Sequence, residues 1–337
     1  MANSREIYVY MDWLGASEPI FIGCLTSNLI RGKEVFSYVN NDKWLRSSDF
    51  RNLDPDLGNF SGKQYLPMNK SNFGLFLDSA PDRWGRVLMQ RREAIEARAT
   101  DRKIKNLTEA DYLMGVFDGN RMGALRFKFS KDGEFMDSNK AMAAPPWTQI
   151  RELEYASLQI EKDDFTDKPE YIRWLNMLIS PGSSLGGARP KANVVDDKGN
   201  LWIAKFPSRN DTCDKGAWEM VVSELAKNCG VEMSDCKAKQ FNSNQHTFLT
   251  KRFDRDNGKR IHFASAMTLL GYTDGASSSE GVSYLELAEW ISRNCQNTVV
   301  NLEQLWRRIV FNIAVSNCDD HLRNHGFILR KLLKTGF

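Results

Sequence analysis

The sequence NCDDHLRNHGFIL, residues 317–329, is the stretch on which the fold assignment of this chain depends. An apolar segment with helical periodicity, residues 302–316, precedes it, and its last four residues form the apolar run GFIL, which is typical of a short strand. Residues 317–324 are almost all polar, which is more than the capping of a helix C-terminus requires. We therefore expect these residues to form a functional loop.

The spacing within this loop is typical of phosphoryl transfer. Asp319 and Asn324 stand at the Asp-x-x-x-x-Asn spacing of kinase catalytic loops. Transfer of a phosphoryl group to a hydroxyl requires a carboxylate near the attacking oxygen and a neutral oxygen ligand that helps to hold Mg²⁺. The pattern thus predicts a catalytic role for Asp319 and a metal-binding role for Asn324. His321, which lies between them, is expected to order the loop through hydrogen bonds.

Two features upstream of this loop have the chemistry of a phosphate site. The segment GSSLGGARPKA contains Gly186 and Gly187, which allow backbone N–H groups to approach an anion, and Lys191 adds a positive charge. Lys205 lies in the strand pattern WIAKF that follows, and Glu219 on the next predicted helix is the candidate that holds it in position. When each feature is considered alone, the glycine segment can be an ordinary flexible turn, and Lys205 can be a solvent-exposed lysine on a strand. Their order with the Asp-x-x-x-x-Asn loop is that of a kinase.

The N-terminal part of the chain has the pattern of a β-rich unit followed by a helix. The stretches REIYVYMDW, PIFIGCLT and EVFSYVN are rich in aromatic and β-branched residues and predict strands. A helix is predicted over residues 80–98, with Asp78 or Ser79 as its N-cap, and the run ALRFKFS predicts another strand.

For the chain as a whole, we expect a small β-rich lobe, a helical lobe and a cleft between them.

Two hairpins and two capped helices are predicted further along the chain. The stretches KANVVDDKGNLWIAKFP and CKAKQFNSNQHTFLTKRFDR each place turn residues between two apolar runs. Between them, DKGAWEMVVSELAKNCGV has the pattern of an amphipathic helix that ends at Gly230. Ser283 and Glu286 are predicted to form the capping box of a later helix.

The bulk composition argues against several classes of protein. The 46 basic and 43 acidic residues give a net charge of +3, which is too balanced to indicate a nucleic-acid or membrane protein, although local basic patches stay open. The N-terminus lacks a signal-peptide core, and no apolar run approaches the length of a membrane-spanning helix. The six cysteines have no C-x-x-C spacing, and four histidines are too few for a His-rich metal site. A reduced, cytoplasmic location is therefore expected.

Taken together, these patterns resemble the HipA-like serine/threonine kinases, the toxin components of bacterial toxin–antitoxin pairs. The resemblance covers nearly the whole chain and is carried by DSAPDRWGRVLMQRRE, DYLMGVFDGNRMGALRF, SSLGGARPKA, WIAKFP, TKRFDR and FNIAVSNCDDHLRNHGFIL. It implies an α+β, two-lobed protein-kinase-like fold with a β-rich N-terminal lobe, an extra N-terminal subdomain and a mostly helical C-terminal lobe. The expected divisions are residues 1–145 for the N-terminal subdomain, 146–255 for the ATP-binding region and 256–337 for an incomplete catalytic region.

The resemblance also implies roles for individual residues, with ATP and Mg²⁺ as cofactors. Asp319 would be the catalytic aspartate, Asn324 would bind Mg²⁺, and Lys205 would contact the ATP phosphates. Ser184, or the adjacent Ser183, matches a loop serine whose autophosphorylation pushes the loop out and switches the enzyme off. Adding about two negative charges to a loop that must itself bind phosphate gives a physical reason for this switch.

The remaining implied contacts surround the nucleotide. The loop of residues 182–192 would cover the ATP phosphates, and residues 251–253 would fall at the hinge beside the adenine. The complete expected ATP-binding set comprises Gly186, Gly187, Ala188, Arg189, Pro190, Lys191, Lys205, Lys251, Arg252, Phe253, His321 and Asn324.

The sequence departs from the family pattern in one respect, which leaves more than one function open. The family has a second metal-binding aspartate in a motif of the type L-x-P-x-Y-D beyond the asparagine, whereas this sequence stops at Phe337 before such a motif. Losing that carboxylate would weaken the Mg²⁺ site. The alternatives are an active serine/threonine kinase, a catalytically impaired kinase-like protein that still binds ATP or a partner, and, more distantly, a small-molecule kinase.

The resemblance implies partners as well. The expected substrate is a protein of the translation machinery, with an aminoacyl-tRNA synthetase as the family precedent. The expected regulator is a small helix-turn-helix antitoxin, which would carry the DNA contacts, so that this chain would meet DNA only indirectly. No membrane partner is expected.

Overall fold

The computed structural model describes residues 4–13, 15–67, 69–81, 83–136, 144–162, 169–179 and 189–329. Most of the predicted glycine loop lies outside the described residues, namely Ser183, Ser184, Gly186, Gly187 and Ala188. The described part is a mixed α and β structure with two main antiparallel sheets and a helical C-terminal portion, in agreement with the predicted α+β class.

The first sheet forms from strands near the N-terminus and one later strand. It contains β1 Ser4–Met11, β2 Ile20–Ile30, β3 Lys33–Asn40, β4 Gln64–Tyr65 and β5 Leu125–Lys128. The strand order is β4-β3-β2-β1-β5, and neighbouring strands are antiparallel. Alternate residues of β1, such as Ile7, Val9 and Met11, are fully buried because successive side chains of a strand point to opposite faces. The predicted N-terminal strands are thus confirmed.

Helices cover this sheet and lead away from it. They are α1 Asp42–Leu45, α2 Gly74–Leu77, α3 Arg83–Ala99 and α4 Glu109–Met114. The predicted helix α3 is confirmed, but the expected N-cap is wrong. Asp78 instead accepts hydrogen bonds from the backbone N–H and the hydroxyl of Ser265, at 2.7 and 2.8 Å, and Ser79 donates to the carbonyl of Leu75 at 3.3 Å. This segment is buried, so a tertiary partner replaces the local cap.

The second sheet consists of the two predicted hairpins, which are confirmed. Its strands are β6 Lys191–Val195, β7 Leu201–Lys205, β8 Cys236–Gln240 and β9 His246–Lys251. Helices α5 Ile150–Ile160 and α6 Pro169–Ile179 precede the sheet, and helix α7 Lys215–Asn228 lies between the two hairpins in the chain. The strand order is β6-β7-β9-β8. Helix α7 ends where predicted, because Gly230 follows its C-cap Cys229 with a φ of +75°, a conformation that favours glycine.

One hydrophobic core joins the second sheet to helices on both sides of residue 145. It contains Trp84 and Leu88 of α3 together with Leu153 of α5, Tyr171 of α6 and Val194 of β6. Helix α3 therefore packs with the second sheet and with helices α5 and α6. The predicted division of the chain near residue 145 stays a prediction.

The C-terminal portion continues with short strands and two longer helices. Its elements are β10 Arg255–Asp256, β11 Lys259–Arg260, β12 His262–Ser265, α8 Ala266–Leu269, α9 Tyr284–Asn294, α10 Thr298–Ala314 and β13 Gly326–Leu329. Strand β13 pairs antiparallel with β12, so the predicted order of helix, polar loop and strand is confirmed. The capping box of α9 is half formed: Ser283 accepts from the N–H of Glu286 at 3.1 Å, whereas the Glu286 carboxylate accepts from Tyr272 at 3.0 Å.

A buried ion pair fastens the first part of the chain to the second sheet. The guanidinium of Arg252 lies 2.6 Å from the carboxylate of Asp254, and both side chains are completely buried. Arg252 also donates to the carbonyl of Asn120 at 2.6 Å and to the side-chain oxygen of Asn193 at 2.9 Å. Burial raises the pKa of Asp254, but its guanidinium partners outweigh burial and hold this pKa at about 2. The pair therefore stays charged and links three segments of the chain.

Replacing Asp254 by alanine is expected to destabilise the protein strongly. The substitution leaves the guanidinium groups of Arg252 and Arg255 buried without their shared counter-ion. Removing one partner of a buried pair costs about 3–5 kcal/mol. The measurement is the free energy of unfolding from urea titrations of wild type and Asp254→Ala.

An exposed pair on α9 provides the matched control. Glu289 pairs with Arg293 one helical turn away, and its side chain is 58% exposed. Glu289→Ala should change the free energy of unfolding by less than about 0.5 kcal/mol. Equal losses in the two variants would contradict the structural role given to Asp254.

Candidate active site

A lysine–glutamate ion pair stands at the centre of the second sheet. Lys205 is the last residue of β7, and its Nζ lies 2.6 Å from Oε2 of Glu219 on α7. The two side chains are 34% and 31% exposed, so the pair is sheltered but reachable from solvent. The structure thus brings together the two residues that the sequence paired. Such an arrangement holds a lysine ready for phosphate oxygens.

The position of α7 follows from its first turn. Asp214 caps the helix by accepting from the N–H of Ala217 at 3.0 Å, and it also accepts from the N–H and the ring of His246 on β9, at 2.9 and 2.6 Å. Gly216 lies so close to this strand that an added Cβ would be 1.9 Å from the carbonyl oxygen of His246. Only glycine allows this approach, which sets the distance from Glu219 to the sheet.

A second lysine lies beside the first. Lys191 of β6 is directly opposite Lys205 in the register, and residues directly opposite in an antiparallel pair share a face with Cβ atoms about 4.5–5.5 Å apart. On the other side, Lys205 is opposite Phe248 of β9, and its Nζ lies 5.4 Å from the ring centroid. Lys191 is buried, whereas the side chain of Lys205 is 34% exposed, so Lys205 is the lysine of this pair that an anion in solution can reach.

The described end of the glycine loop is anchored to the protein. Arg189 forms a bidentate ion pair with Asp211, at 2.8 and 2.6 Å, and Pro190 accepts from the N–H of Phe206 at 2.9 Å. Arg189 therefore has a protein partner, and an ATP contact through it stays a prediction.

The three residues expected at the hinge have different surroundings. Lys251 is half-buried and Phe253 is exposed, with its ring 5.6 Å from that of Phe263. The Arg252 side chain is 0% exposed and is paired with Asp254, and contact between residues 251–253 and ATP stays a prediction.

The candidate catalytic loop exposes one of its two adjacent aspartates. The Asp319 side chain is 95% exposed, and Nε2 of His321 lies 3.9 Å from its carboxylate. Asn324 donates from its side-chain amide to the backbone carbonyl of Asp319 at 2.6 Å, and its own N–H donates to the carbonyl of His321 at 2.8 Å. The structure therefore brings Asp319, His321 and Asn324 together, with the carboxylate of Asp319 directed to solvent.

The other aspartate, Asp320, anchors the loop and was missed by the sequence analysis. Its carboxylate is 8% exposed and accepts hydrogen bonds from Tyr284 at 2.6 Å, Asn312 at 2.9 Å and His325 at 3.0 Å. Burial raises the pKa of Asp320, but these three donors outweigh burial and lower it overall. The two consecutive aspartates in the sequence could have indicated this role. Adjacent residues of an extended segment point in opposite directions, so one aspartate is expected to face solvent and the other the protein.

The donor set of the loop fits a magnesium ion that arrives with a nucleotide. Among the described residues, no group of three or more His, Cys, Asp or Glu side chains is arranged to hold a metal ion by itself. Mg²⁺ usually takes one or two protein carboxylates together with substrate phosphates. The amide oxygen of Asn324 is a neutral oxygen ligand that could join such a set, and the exposed carboxylate of Asp319 lies in the same loop.

Comparison with known proteins shows which family the C-terminal part resembles. Residues 183–335 match the family model described as the HipA-like C-terminal domain. A Haemophilus influenzae protein named "Putative kinase" is 27% identical over 169 residues, which cover 44% of this chain and 49% of that protein. The matched region thus spans about half the length of this curated relative.

A solved structure shares the fold. It is the Shewanella oneidensis MR-1 toxin antitoxin system HipA, HipB and its operator DNA complex, which is 18% identical, aligns with a TM-score of 0.59, and covers 96% of this chain and 72% of the other. Residues 183–335 thus resemble the HipA-like C-terminal domain, and the chain has a fold similar to that of the solved HipA structure. Within the described residues, none of the helices is both long enough and apolar enough to cross a membrane.

Replacing Gly216 by alanine is expected to destabilise the second sheet. Alanine normally stabilises a helix relative to glycine by about 1 kcal/mol. Here its methyl group would overlap the carbonyl oxygen of His246, and overpacking of this kind costs about 1–3 kcal/mol. We expect the steric cost to exceed the helical gain, so that the urea midpoint falls.

Lys215→Ala, at an exposed neighbouring position, is the control and should leave the midpoint nearly unchanged. A Gly216→Ala variant that is as stable as wild type, or more stable, would show that α7 does not lie against β9 as described.

Proposed function

We propose that this chain is an ATP-dependent serine/threonine protein kinase of the HipA type. The observation that carries the proposal is the Lys205–Glu219 ion pair at 2.6 Å, on a sheet that precedes a loop with an exposed Asp319. The name of the Haemophilus influenzae relative and the HipA-like C-terminal domain over residues 183–335 support it. The proposal extends to ATP and Mg²⁺ as the cofactors.

Each residue of the proposed site has a defined chemical role. The ammonium of Lys205 would bind ATP phosphate oxygens while Glu219 holds it in place, and the amide oxygen of Asn324 would be a ligand of Mg²⁺. Bound Mg²⁺ supplies charge neutralisation on the phosphates. The carboxylate of Asp319 would orient the substrate hydroxyl and accept its proton. The hydroxyl oxygen then forms a bond to the γ-phosphorus as the bond to the bridging oxygen of ADP breaks.

We also propose that Ser184 or Ser183 is an autophosphorylation site. Both residues lie outside the described structure. The described residues that follow them in the sequence are Arg189, Pro190 and Lys191, and Lys191 is directly opposite Lys205 in the sheet. A phosphate group there would offer these cations an alternative anion and compete with ATP. The acceptor can be identified by mass spectrometry of the labelled chain, with Ser184→Ala and Ser183→Ala as the two test variants.

The proposed partners follow from the Shewanella oneidensis structure, whose title names HipA, HipB and operator DNA in one complex. We propose a small helix-turn-helix antitoxin as the partner of this chain, with DNA contacted through that antitoxin. A protein of the translation machinery, such as an aminoacyl-tRNA synthetase, is the proposed substrate, and the cytoplasm is the proposed location.

Phosphate transfer from radiolabelled ATP tests the proposal. In the presence of Mg²⁺, wild type should transfer label to a protein hydroxyl, and Asp319→Asn should lower the rate by about 10²–10⁴-fold, as expected for loss of a general base. Because the Asp319 side chain is exposed, Asp319→Asn should keep the thermal stability of wild type.

Glu289→Ala, on the surface of α9, is the activity control and should transfer at the wild-type rate. Equal transfer by wild type and Asp319→Asn would contradict the role of Asp319. ATP binding without transfer would identify a kinase-like binding protein, and label that appears only on a metabolite would identify a small-molecule kinase.

A further inference from the structure

Residues 78–81, which follow α2, are buried against the part of the chain that supports the candidate catalytic loop. The Asp78 carboxylate accepts from the N–H of Ser265 at 2.7 Å and from its hydroxyl at 2.8 Å. An added Cβ on Gly74 would lie 2.6 Å from the side chain of Thr268, so α2 and α8 are in close contact. The first half of the chain therefore reaches the C-terminal portion at the junction of β12 and α8.

Ser265 occupies a key position at this junction. It is the last residue of β12 and the N-cap of α8, and its hydroxyl accepts from the N–H of Thr268 at 3.2 Å. The hydroxyl can therefore donate to Asp78 while it caps the helix, because a serine hydroxyl is one donor and two acceptors. Asp78 thus fixes both the backbone and the side chain of the residue at which α8 begins.

The next two residues hold the catalytic loop directly. The N–H of Ala266 donates to the carbonyl of His325 at 2.8 Å, and the N–H of Met267 donates to the carbonyl of Leu322 at 3.3 Å. These carbonyls lie on either side of Asn324, within the loop that also contains Asp319. A displacement of Ser265 would therefore reach the candidate catalytic residues through two backbone hydrogen bonds.

A second, weaker connection between the first half of the chain and the loop lies at the surface. The carboxylate of Asp274 lies 3.7 Å from the guanidinium of Arg83 on α3 and 3.6 Å from that of Arg323 in the loop. Asp274 is half exposed, so solvent screens both ion pairs and they contribute little stability. The buried contact between Asp78 and Ser265 is the stronger of the two connections.

We infer that Asp78 is a positioning residue for the catalytic loop, so that the orientation of Asp319 and Asn324 depends on the N-terminal part of the chain. This inference rests on the proposed kinase function. Asp78 holds Ser265, Ser265 sets the start of α8, and the first N–H groups of α8 hold the loop. Asp320 fixes the same loop from the opposite side, through Tyr284 of α9 and Asn312 of α10.

The test compares Asp78→Asn with Ser265→Ala in the labelled-ATP assay. An asparagine has one acceptor oxygen in place of two, so one Ser265 donor loses its partner. We expect Asp78→Asn to lower kcat by about 10–100-fold, as misalignment of reacting groups does, with KM for ATP within about threefold of wild type. Ser265→Ala should lower kcat by a smaller factor, and the double variant should resemble Asp78→Asn because both act through one contact.

Glu154→Gln is the matched control. Glu154 of α5 is also completely buried and accepts from two backbone N–H groups and the hydroxyl of Thr247, but it lies in contact with the β8–β9 turn. A general effect of removing a buried carboxylate would appear in Glu154→Gln as well. We expect this variant to lose stability and to keep kcat within about twofold, which is the range of distant substitutions.

Hydrogen exchange separates this inference from the proposed function, because it needs no catalysis. Backbone amides of residues 265–268 and 319–325 should exchange at least about fivefold faster in Asp78→Asn, whereas Glu154→Gln should leave them unchanged. If wild type transfers no phosphate but this pattern appears, the positioning role stands and the kinase proposal fails. If wild type transfers phosphate and Asp78→Asn keeps the wild-type kcat, the inference is overturned. Should Asp78→Asn fail to fold, unchanged kcat and exchange in Ser265→Ala would overturn it.

Discussion

The buried pair of Arg252 and Asp254 is the constraint on which the arrangement of this protein depends. Taking both charges out of water costs several kcal/mol per ion, so the pair is favourable only when further hydrogen bonds satisfy both groups. The structure supplies them: Arg252 donates to Asn120 and Asn193, and Asp254 accepts from the N–H of Gly123 at 2.8 Å. The hydrogen bonds come from the segment before β5 and from β6, so neither part completes the network alone.

The geometry of the candidate site follows from this connection. The second sheet, held by Arg252 at the end of β9, carries Lys205, and the close approach at Gly216 sets α7 so that Glu219 reaches the lysine. Beyond Asp254, β12 leads to Ser265 and to the residues that support the candidate catalytic loop. Asp320 occupies the inner side of that loop, which leaves Asp319 facing outward. The buried aspartate therefore supports the loop, while the exposed one stays accessible from solvent.

Local patterns in the sequence predicted most of the elements, whereas partners distant in the chain could not be predicted. Strands, hairpins and the pairing of Lys205 with Glu219 depend on spacing over short segments, where side-chain periodicity is informative. Asp78 looked like a local helix cap, but its partner Ser265 is 187 residues away. The hydrogen bond from the buried Arg252 to Asn120 also joins distant residues, which are 132 positions apart in the chain. Such contacts follow from packing between segments, which a single sequence does not reveal.

Calorimetric titration with Mg²⁺–ATP tests the central claim, that the Lys205–Glu219 pair belongs to a nucleotide site. Wild type should bind with a dissociation constant within about 1 μM–1 mM, the usual range for enzyme substrates. Lys205→Met removes the charge that is proposed to bind the phosphates and should weaken binding by at least about tenfold, which corresponds to about 1.4 kcal/mol. Lys215→Ala, which removes an exposed charge from the same region, should bind as wild type does. No binding by wild type, or equal affinity of wild type and Lys205→Met, would contradict the account.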